Sequence, residues 1–491
     1  MEGDLVDLEL ADLPRARRTY GLFDTLALSV HYDFTSDEFE RAMAPDARDG
    51  GDEALRTIYH ETTHLYHLVA TPYGYYYSML KAFQTQQIVG MILLLRDDYG
   101  VRLRYPLRRL IDGLGEDARY APVRAALLRW YIAELLVLVF EGKTDLSLNL
   151  RERHQVLSTR SLDSLLAEMD VHLAGMFAGL GFDVTPEQRT GFGGPASVPA
   201  DKIAMGLKAT GELDVGHVLE SAATVAELWV DDPNADPAAL VEGRTGADRY
   251  YVLLRYAIDR LQPRSVREFT WTYAALVELA LFAPLLPQQR AFRDEGTSVM
   301  DFHPLARLFA GLRAAGELRP VEEGSDYRRF QVEVCDELGW PAPSRLCADA
   351  VDHPLPDPID PKTQLFYWSL QFRHDVVPYA FADLGVYRSR QDNLTRWFRA
   401  HFRHPIVEFT DGHWIATGSS PWFYVVQHVV HEYLRRVLLG SDLAVELPYR
   451  ASGDELRSFA ESAADTLAEI GVGRPRLDLR PGTAHVGGSV S

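Results

Sequence analysis

The stretch that decides the architecture is DEALRTIYHETTHLYHLVATPYG, residues 52–74. Asp52 is a good N-cap residue, apolar side chains recur at helical spacing, and a helix cannot continue through Pro72. The pattern predicts one helix from Asp52 to the residue before Pro72. Because residues four apart in a helix lie on the same face, His60 and His64 are expected to project side by side.

His60, Glu61 and His64 form a His-Glu-x-x-His pattern on this predicted helix. Two neutral imidazoles on one helix face can bind a single zinc ion, and the carboxylate between them can take a proton from metal-bound water. His67 falls seven residues after His60 and continues the stripe, so we expect it in the outer shell of the site. The alternative is a helix whose histidines merely meet core or surface partners.

The third ligand has two candidates, both carboxylates on predicted helices. Glu220 lies in the middle of DVGHVLESAATVAELWV, residues 214–230, and is followed by small residues that let another helix approach. Glu141 ends an apolar helix, and with Asp145 it forms a Glu-x-x-x-Asp pattern in which the second carboxylate orients a ligand histidine. We favour Glu220, because a rigid mid-helix position suits a ligand better than a helix end.

A second histidine pair lies on the predicted helix of residues 421–439. His428 and His431 are three residues apart, and Glu432 follows directly. The order of these residues differs from that of the inverted zincin motif. A packed amphipathic helix is the favoured interpretation, and a metal-facing pair is the alternative.

Composition and charge limit the classes of partner. The chain of 491 residues is 47% hydrophobic, which is enough to bury a large core. It carries 70 Asp and Glu against 50 Lys and Arg, and its net charge of -20 repels nucleic acid and anionic membrane surfaces. We therefore expect neither nucleic acid nor a membrane as a partner.

The cellular location is predicted from the cysteines and from the apolar runs. Two cysteines, Cys335 and Cys347, are too few for a disulfide scaffold, which favours a reducing cytoplasm. The first 18 residues lack the basic start and apolar centre of a signal peptide. The longest apolar run, 135–140, is far shorter than the roughly 20 residues that cross a bilayer.

The fold class predicted from these patterns is mainly α with a small β component (α+β), built on a zincin-like active-site helix. Partial alternation in residues 20–34 indicates a strand, and most of the remaining periodic segments are helical. Two acidic, proline-containing connectors, DDPNADP and PLPDPIDPK, suggest domain boundaries. We predict a metal-binding domain at 1–231, a helical domain at 232–353 and an aromatic-rich helical region at 354–491.

These motifs resemble the gluzincin branch of the zincin metallopeptidases, in which His-Glu-x-x-His on one helix is completed by a glutamate on a later helix. The counterpart of that glutamate here is Glu220, followed by small residues. The chain is also similar to a group of largely uncharacterised bacterial proteins, through His67, Thr71, Tyr73 and Gly74. The resemblance implies two histidine ligands, a carboxylate ligand and Glu61 as general base.

The function expected from the sequence is a zinc-dependent hydrolase, most simply a peptidase or amide hydrolase, acting on a peptide or a small molecule. Its metal would be Zn²⁺, held by His60, His64 and Glu220. A non-haem iron oxygenase is the first alternative, because two histidines and one carboxylate also bind Fe²⁺. A non-catalytic protein with a structural metal site is the second, and a fourth protein ligand such as His67 would favour it.

Overall fold

The structure, a computed structural model, is mainly helical with a small sheet, which confirms the predicted fold class. It describes residues 21–24, 29–44, 53–69, 71–141, 215–243, 250–282, 304–346, 406–415, 420–440, 443–447 and 451–481. The predicted helix at 162–180 and the connector at 354–362 lie outside these residues.

Thirteen α-helices are named here within the described ranges. They are α1 Ser36–Ala42, α2 Glu53–Val69, α3 Pro72–Leu93, α4 Leu107–Gly113, α5 Ala121–Glu141, α6 Val215–Asp231, α7 Pro237–Gly243, α8 Tyr250–Leu261, α9 Val266–Leu281, α10 Pro304–Ala315, α11 Tyr327–Leu338, α12 Ser420–Leu439 and α13 Gly453–Glu469. None of these described helices is long and apolar enough to span a membrane.

The strands form two small sheets. In the first, β1 (Gly21–Asp24) pairs antiparallel with β2 (Ser29–Tyr32), which pairs parallel with β3 (Ile406–Phe409), and β3 pairs antiparallel with β4 (Trp414–Ile415). In the second, β5 (Val445–Glu446) runs parallel to β6 (Leu479–Arg480). The first sheet packs beside α2, and β1 is the strand that contacts this helix.

Two hydrophobic clusters flank α2, the helix that carries His60, Glu61 and His64. The smaller one joins the first sheet, α1 and the start of α2, through Val30, Tyr32, Phe34, Phe39, Ala42, Ala54, Ile58, Val407 and Phe409. The larger one takes residues between Leu68 and Ile470, from all three predicted domains. The division of the chain into domains remains a prediction.

The hydroxyl groups of three threonines in α2 donate hydrogen bonds to the backbone of the same helix. Thr57, Thr62 and Thr63 each donate to the carbonyl four residues earlier, at 2.9, 2.6 and 2.8 Å. A threonine in a helix interior commonly does this, and the side chain then needs no other partner. The hydroxyl groups of Thr62 and Thr63 therefore bond the backbone rather than the side chains of the histidines or of Glu61.

The turn from α2 to α3 explains the Thr-Pro-Tyr-Gly segment. α2 ends at Val69 and α3 begins at Pro72. The sequence predicts a turn at Tyr73 and Gly74 followed by a helix from Tyr75, so the observed helix starts three residues earlier than predicted. Proline is favoured at the first helical position because its missing N–H would have no helical partner there. Thr71 caps α3 by accepting from the Gly74 N–H at 3.4 Å.

Gly74 allows the backbones of α2 and α3 to touch. A Cβ added there would lie 2.6 Å from Leu68 Cα and would contact the Leu68 carbonyl group more closely still. Alanine forms helices better than glycine, by about 1 kcal/mol. Helix propensity would therefore make Gly74→Ala stabilising, whereas the steric clash would make it destabilising. The steric effect should win, because backbone atoms cannot rotate away from the added methyl group.

We expect Gly74→Ala to lower the free energy of unfolding by about 3 kcal/mol, the upper end of the usual cost of overpacking. Gly90→Ala is the matched control in the same helix, because a Cβ there would meet nothing within 4 Å. That control should be neutral or slightly stabilising. Chemical denaturation of both variants measures the difference, and equal stabilities would contradict the close approach at Gly74.

Candidate metal centre

α2, which carries His60, Glu61 and His64, lies against α6, and polar residues of the two helices pair along their contact. Three side chains of α2 meet three carboxylates of α6: Arg56 with Asp231, His60 with Glu227, and His64 with Glu220. From Arg56 to His64 the chain runs toward the C-terminus of α2, while their partners, from Asp231 to Glu220, run toward the N-terminus of α6. The two helices are therefore antiparallel. This contact brings two distant sequence segments into one site.

His60, His64 and Glu220 form a compact triangle of possible ligand atoms. The Nε2 atoms of the two histidines are 3.1 Å apart, and each lies 3.3 Å from a different oxygen of Glu220, His60 from Oε2 and His64 from Oε1. Zinc bound at about 2.0–2.2 Å by tetrahedral ligands separates those ligands by about 3.4 Å. The donor types and their spacing therefore fit one zinc ion.

The triangle is open to solvent on one side. The side chain of His64 is 10% exposed, whereas that of Glu220 is 34% exposed. Among the described residues, these three are the sole group with metal-binding donors close enough together. A site with three protein ligands keeps a coordination position for water or substrate, as catalytic zinc sites do.

Glu227 orients the first histidine. Its Oε1 lies 2.7 Å from Nδ1 of His60, on the opposite side of the ring from the Nε2 that faces Glu220. Ligand histidines usually donate their second N–H to such a carboxylate, which fixes the tautomer and the ring orientation. We did not predict Glu227 from sequence, although it lies seven residues after Glu220 and so shares its helix face.

The charges of the triangle are strongly coupled. Burial disfavours the charged form of His60, but hydrogen bonds to Glu220 and Glu227 hold its pKa well above the ordinary value. Burial disfavours the charged form of Glu220 too, yet the adjacent His64 and His60 hold its pKa well below the usual range. A metal ion must displace the proton on His60, so its affinity falls as pH falls.

Glu61 is buried beside the triangle and is 5% exposed. Burial raises its pKa above the ordinary value for glutamate, and the carboxylates of Glu220 and Glu227 raise it further, against the opposing effect of the two histidines. A carboxylate with a raised pKa accepts a proton more readily near neutral pH. Its position and its basicity suit the role of general base.

Tyr32 on β2 joins the sheet to α2. Its hydroxyl hydrogen-bonds the Thr62 side chain, and its ring packs on Phe34 with centroids 4.7 Å apart. Thr62 also donates its own hydroxyl proton to the Ile58 carbonyl. Burial raises the pKa of Tyr32, with a further contribution from the nearby Glu61. This contact was not predicted, because its two residues lie on separate elements.

The other predicted site residues lie apart from the triangle or outside the described part. His67 is buried near the end of α2 beside Tyr66, with ring centroids 5.7 Å apart, and is not in the described metal-binding group. Asp145 and the side chain of Glu141 lie outside the described residues. Their roles stay predictions.

The second histidine pair belongs to a buried polar interface between α3 and α12. Nδ1 of His431 lies 2.9 Å from the Thr85 hydroxyl, and burial lowers the pKa of His431 to about 3. This histidine is therefore neutral, and neither it nor His428 belongs to the metal-binding group of the described residues. The arrangement agrees with the packed-helix interpretation.

Comparisons of the chain with protein-family models, with curated proteins and with solved structures gave no match. The resemblance to gluzincins therefore stays a prediction. The functional argument rests on the geometry of α2 and α6, and on the chemistry of the side chains that they bring together.

Proposed function

We propose that this protein is a zinc-dependent hydrolase that cleaves a peptide or another amide, using His60, His64 and Glu220 as metal ligands. The observation that carries the proposal is the triangle of donor atoms, with separations of 3.1 to 3.3 Å, next to a buried glutamate. Zinc bound there would acidify a water molecule and polarise the scissile carbonyl group.

Each residue of the centre has a distinct part in this proposal. Glu61 takes the proton of the attacking water and passes it to the leaving amine. Glu227 keeps His60 in the tautomer that directs Nε2 toward Glu220. Tyr32 and Thr62 hold the sheet against the helix turn that carries Glu61.

The first sheet supports a peptide as substrate. β1 is one of the two outer strands among the described strands of this sheet, the other being β4, and it lies against α2. The outer edge of such a strand can bind an extended peptide through backbone hydrogen bonds. An extended substrate on β1 would therefore run beside the helix that carries the ligands and Glu61.

The alternatives make different demands on the same site. A structural zinc site is usually closed by four protein ligands, whereas the group found among the described residues has three, which favours a catalytic role. Iron would bind the same donor types, so the metal must be identified by measurement. The proposal places the enzyme in the cytoplasm, since two cysteines suit a reducing compartment.

Elemental analysis of protein purified without chelators or metal-affinity steps tests the proposal. We expect one zinc per chain, and a fall in melting temperature after chelation, because the clustered ligands would lose their shared cation. His60→Ala and His64→Ala should lose the metal. Iron in place of zinc would support the oxygenase, and metal-free protein with an unchanged melting temperature after chelation would exclude a metal centre.

A further inference from the structure

A short basic segment stands out in this acidic chain. Residues 99–110, YGVRLRYPLRRL, contain four arginines and no aspartate or glutamate, although the whole chain has a net charge of -20. Arg102, Arg104 and Arg109 are exposed, and none of them forms an ion pair or hydrogen bond with the described part of the chain. The fourth, Arg108, approaches Asp112 at 3.8 Å. Three exposed guanidinium groups therefore have no ionic partner among the described residues.

The segment is held firmly against the helices beneath it. Leu107 is fully buried and Ile111 is 2% exposed, so α4 is anchored in the main core. Pro106 packs against Gly440 at the end of α12, where an added Cβ would lie 2.6 Å from Pro106 Cβ. A surface that is already ordered loses little conformational entropy when a partner binds.

Two exposed apolar side chains lie close in sequence to the contact between Pro106 and Gly440. Tyr105 is 52% exposed and Leu443 is 38% exposed, and both belong to the few large apolar residues exposed in the described part. Arginine and tyrosine are enriched in protein interfaces, because both combine a large contact area with directional hydrogen bonding. We name Arg102, Arg104, Tyr105, Arg109 and Leu443 the basic patch.

We infer that the basic patch is a docking surface for an acidic segment of a partner protein. Carboxylates of that segment would pair with the three arginines, which can bind carboxylates in a bidentate manner. Apolar side chains of the same segment would cover Tyr105 and Leu443. A long polyanion such as nucleic acid is disfavoured, because the rest of the chain repels extended negative charge.

The inference is independent of the proposed hydrolase activity, because the basic patch shares no residue with the metal centre. The test uses the full chain and a fluorescein-labelled peptide of alternating glutamate and leucine. Binding is followed by fluorescence anisotropy at two ionic strengths, since contacts between exposed charges are screened beyond about 8 Å in physiological salt. A peptide with lysine in place of glutamate controls for apolar adhesion.

Charge-reversal variants distinguish the effect of where the arginines lie from the effect of the net charge of the protein. The test variant carries Arg102→Glu, Arg104→Glu and Arg109→Glu, and the control carries Arg255→Glu, Arg313→Glu and Arg345→Glu. The control arginines are also exposed and without an ion pair in the described part. Each variant replaces three arginines with glutamate, so both change the net charge equally. Circular dichroism and melting temperature should match the wild-type protein in both.

We expect the acidic peptide to bind the wild-type chain and the control alike, and to bind the test variant at least tenfold more weakly. Tyr105→Ala should also weaken binding. Lack of binding to the wild-type chain, or equal losses in the two triple variants, would overturn the inference. Tighter binding of a single-stranded oligonucleotide than of the acidic peptide would overturn the choice of partner.

Discussion

Replacing Glu61 with glutamine should leave the metal bound while lowering the rate of hydrolysis by about 10²- to 10⁴-fold. The amide has nearly the same shape as the carboxylate and fits the same buried space, but it cannot accept the proton of the attacking water. Glu61 lies beside the metal ligands rather than among them, so its substitution should not release the ion. No other residue we propose to change should separate metal binding from turnover as clearly.

The measurement pairs turnover with metal content. Turnover is followed on a substrate selected from a quenched fluorescent peptide library, and zinc is quantified on the same samples. Thr63→Val is the matched control, because Thr63 is buried in the same helix and its hydroxyl bonds only the backbone of that helix. Full turnover in Glu61→Gln would show that another group is the base, and loss of zinc would show that Glu61 is a ligand.

Replacing Glu220 with alanine should weaken metal binding far more than replacing Glu227 with glutamine. The first change removes a metal bond and a negative charge from the triangle. The second leaves all three ligands in place and removes a carboxylate that orients His60 from the far side of its ring. Loss of such an orienting group typically costs about 10- to 100-fold in metal affinity.

Competition titration with a chromogenic chelator compares the two variants on one scale. Glu141→Ala joins the series, because the sequence alone offers Glu141 as the alternative third ligand. We expect it to bind metal as the wild-type protein does. Abolished binding in Glu141→Ala, together with intact binding in Glu220→Ala, would reverse the assignment and favour the Glu-x-x-x-Asp pattern.

The helix α2 was largely predictable from the sequence, because its signals are local. Helical spacing of apolar residues and the stop before Pro72 predict α2 to within a few residues. The start of α3 was less predictable, since Tyr73 and Gly74 indicate a turn before a helix at Tyr75, whereas Pro72 occupies the first helical position. The cap at Thr71 is a local contact within the start of α3, whereas the close approach of Gly74 to Leu68 is a contact between helices.

Most candidate residues of the site could be predicted from the sequence, but the contacts that bring them together could not. Glu220 emerged from sequence as a candidate, because it stands mid-helix before small residues, and the structure places it next to both histidines. Glu227 carried a weaker signal, its seven-residue spacing from Glu220. Tyr32 carried none, because a hydrogen bond between a strand and a helix leaves no periodic trace in the chain.

The sequence by itself determined which residues share a helix face, since helical geometry places residues four apart together wherever the helix lies. His60 and His64 follow from that rule, and so does the mainly helical fold class. The tertiary structure decided which carboxylates meet that face. Glu220 and Glu227 reach His60 through the antiparallel packing of α2 on α6, and such packing depends on side chains more than 150 residues apart.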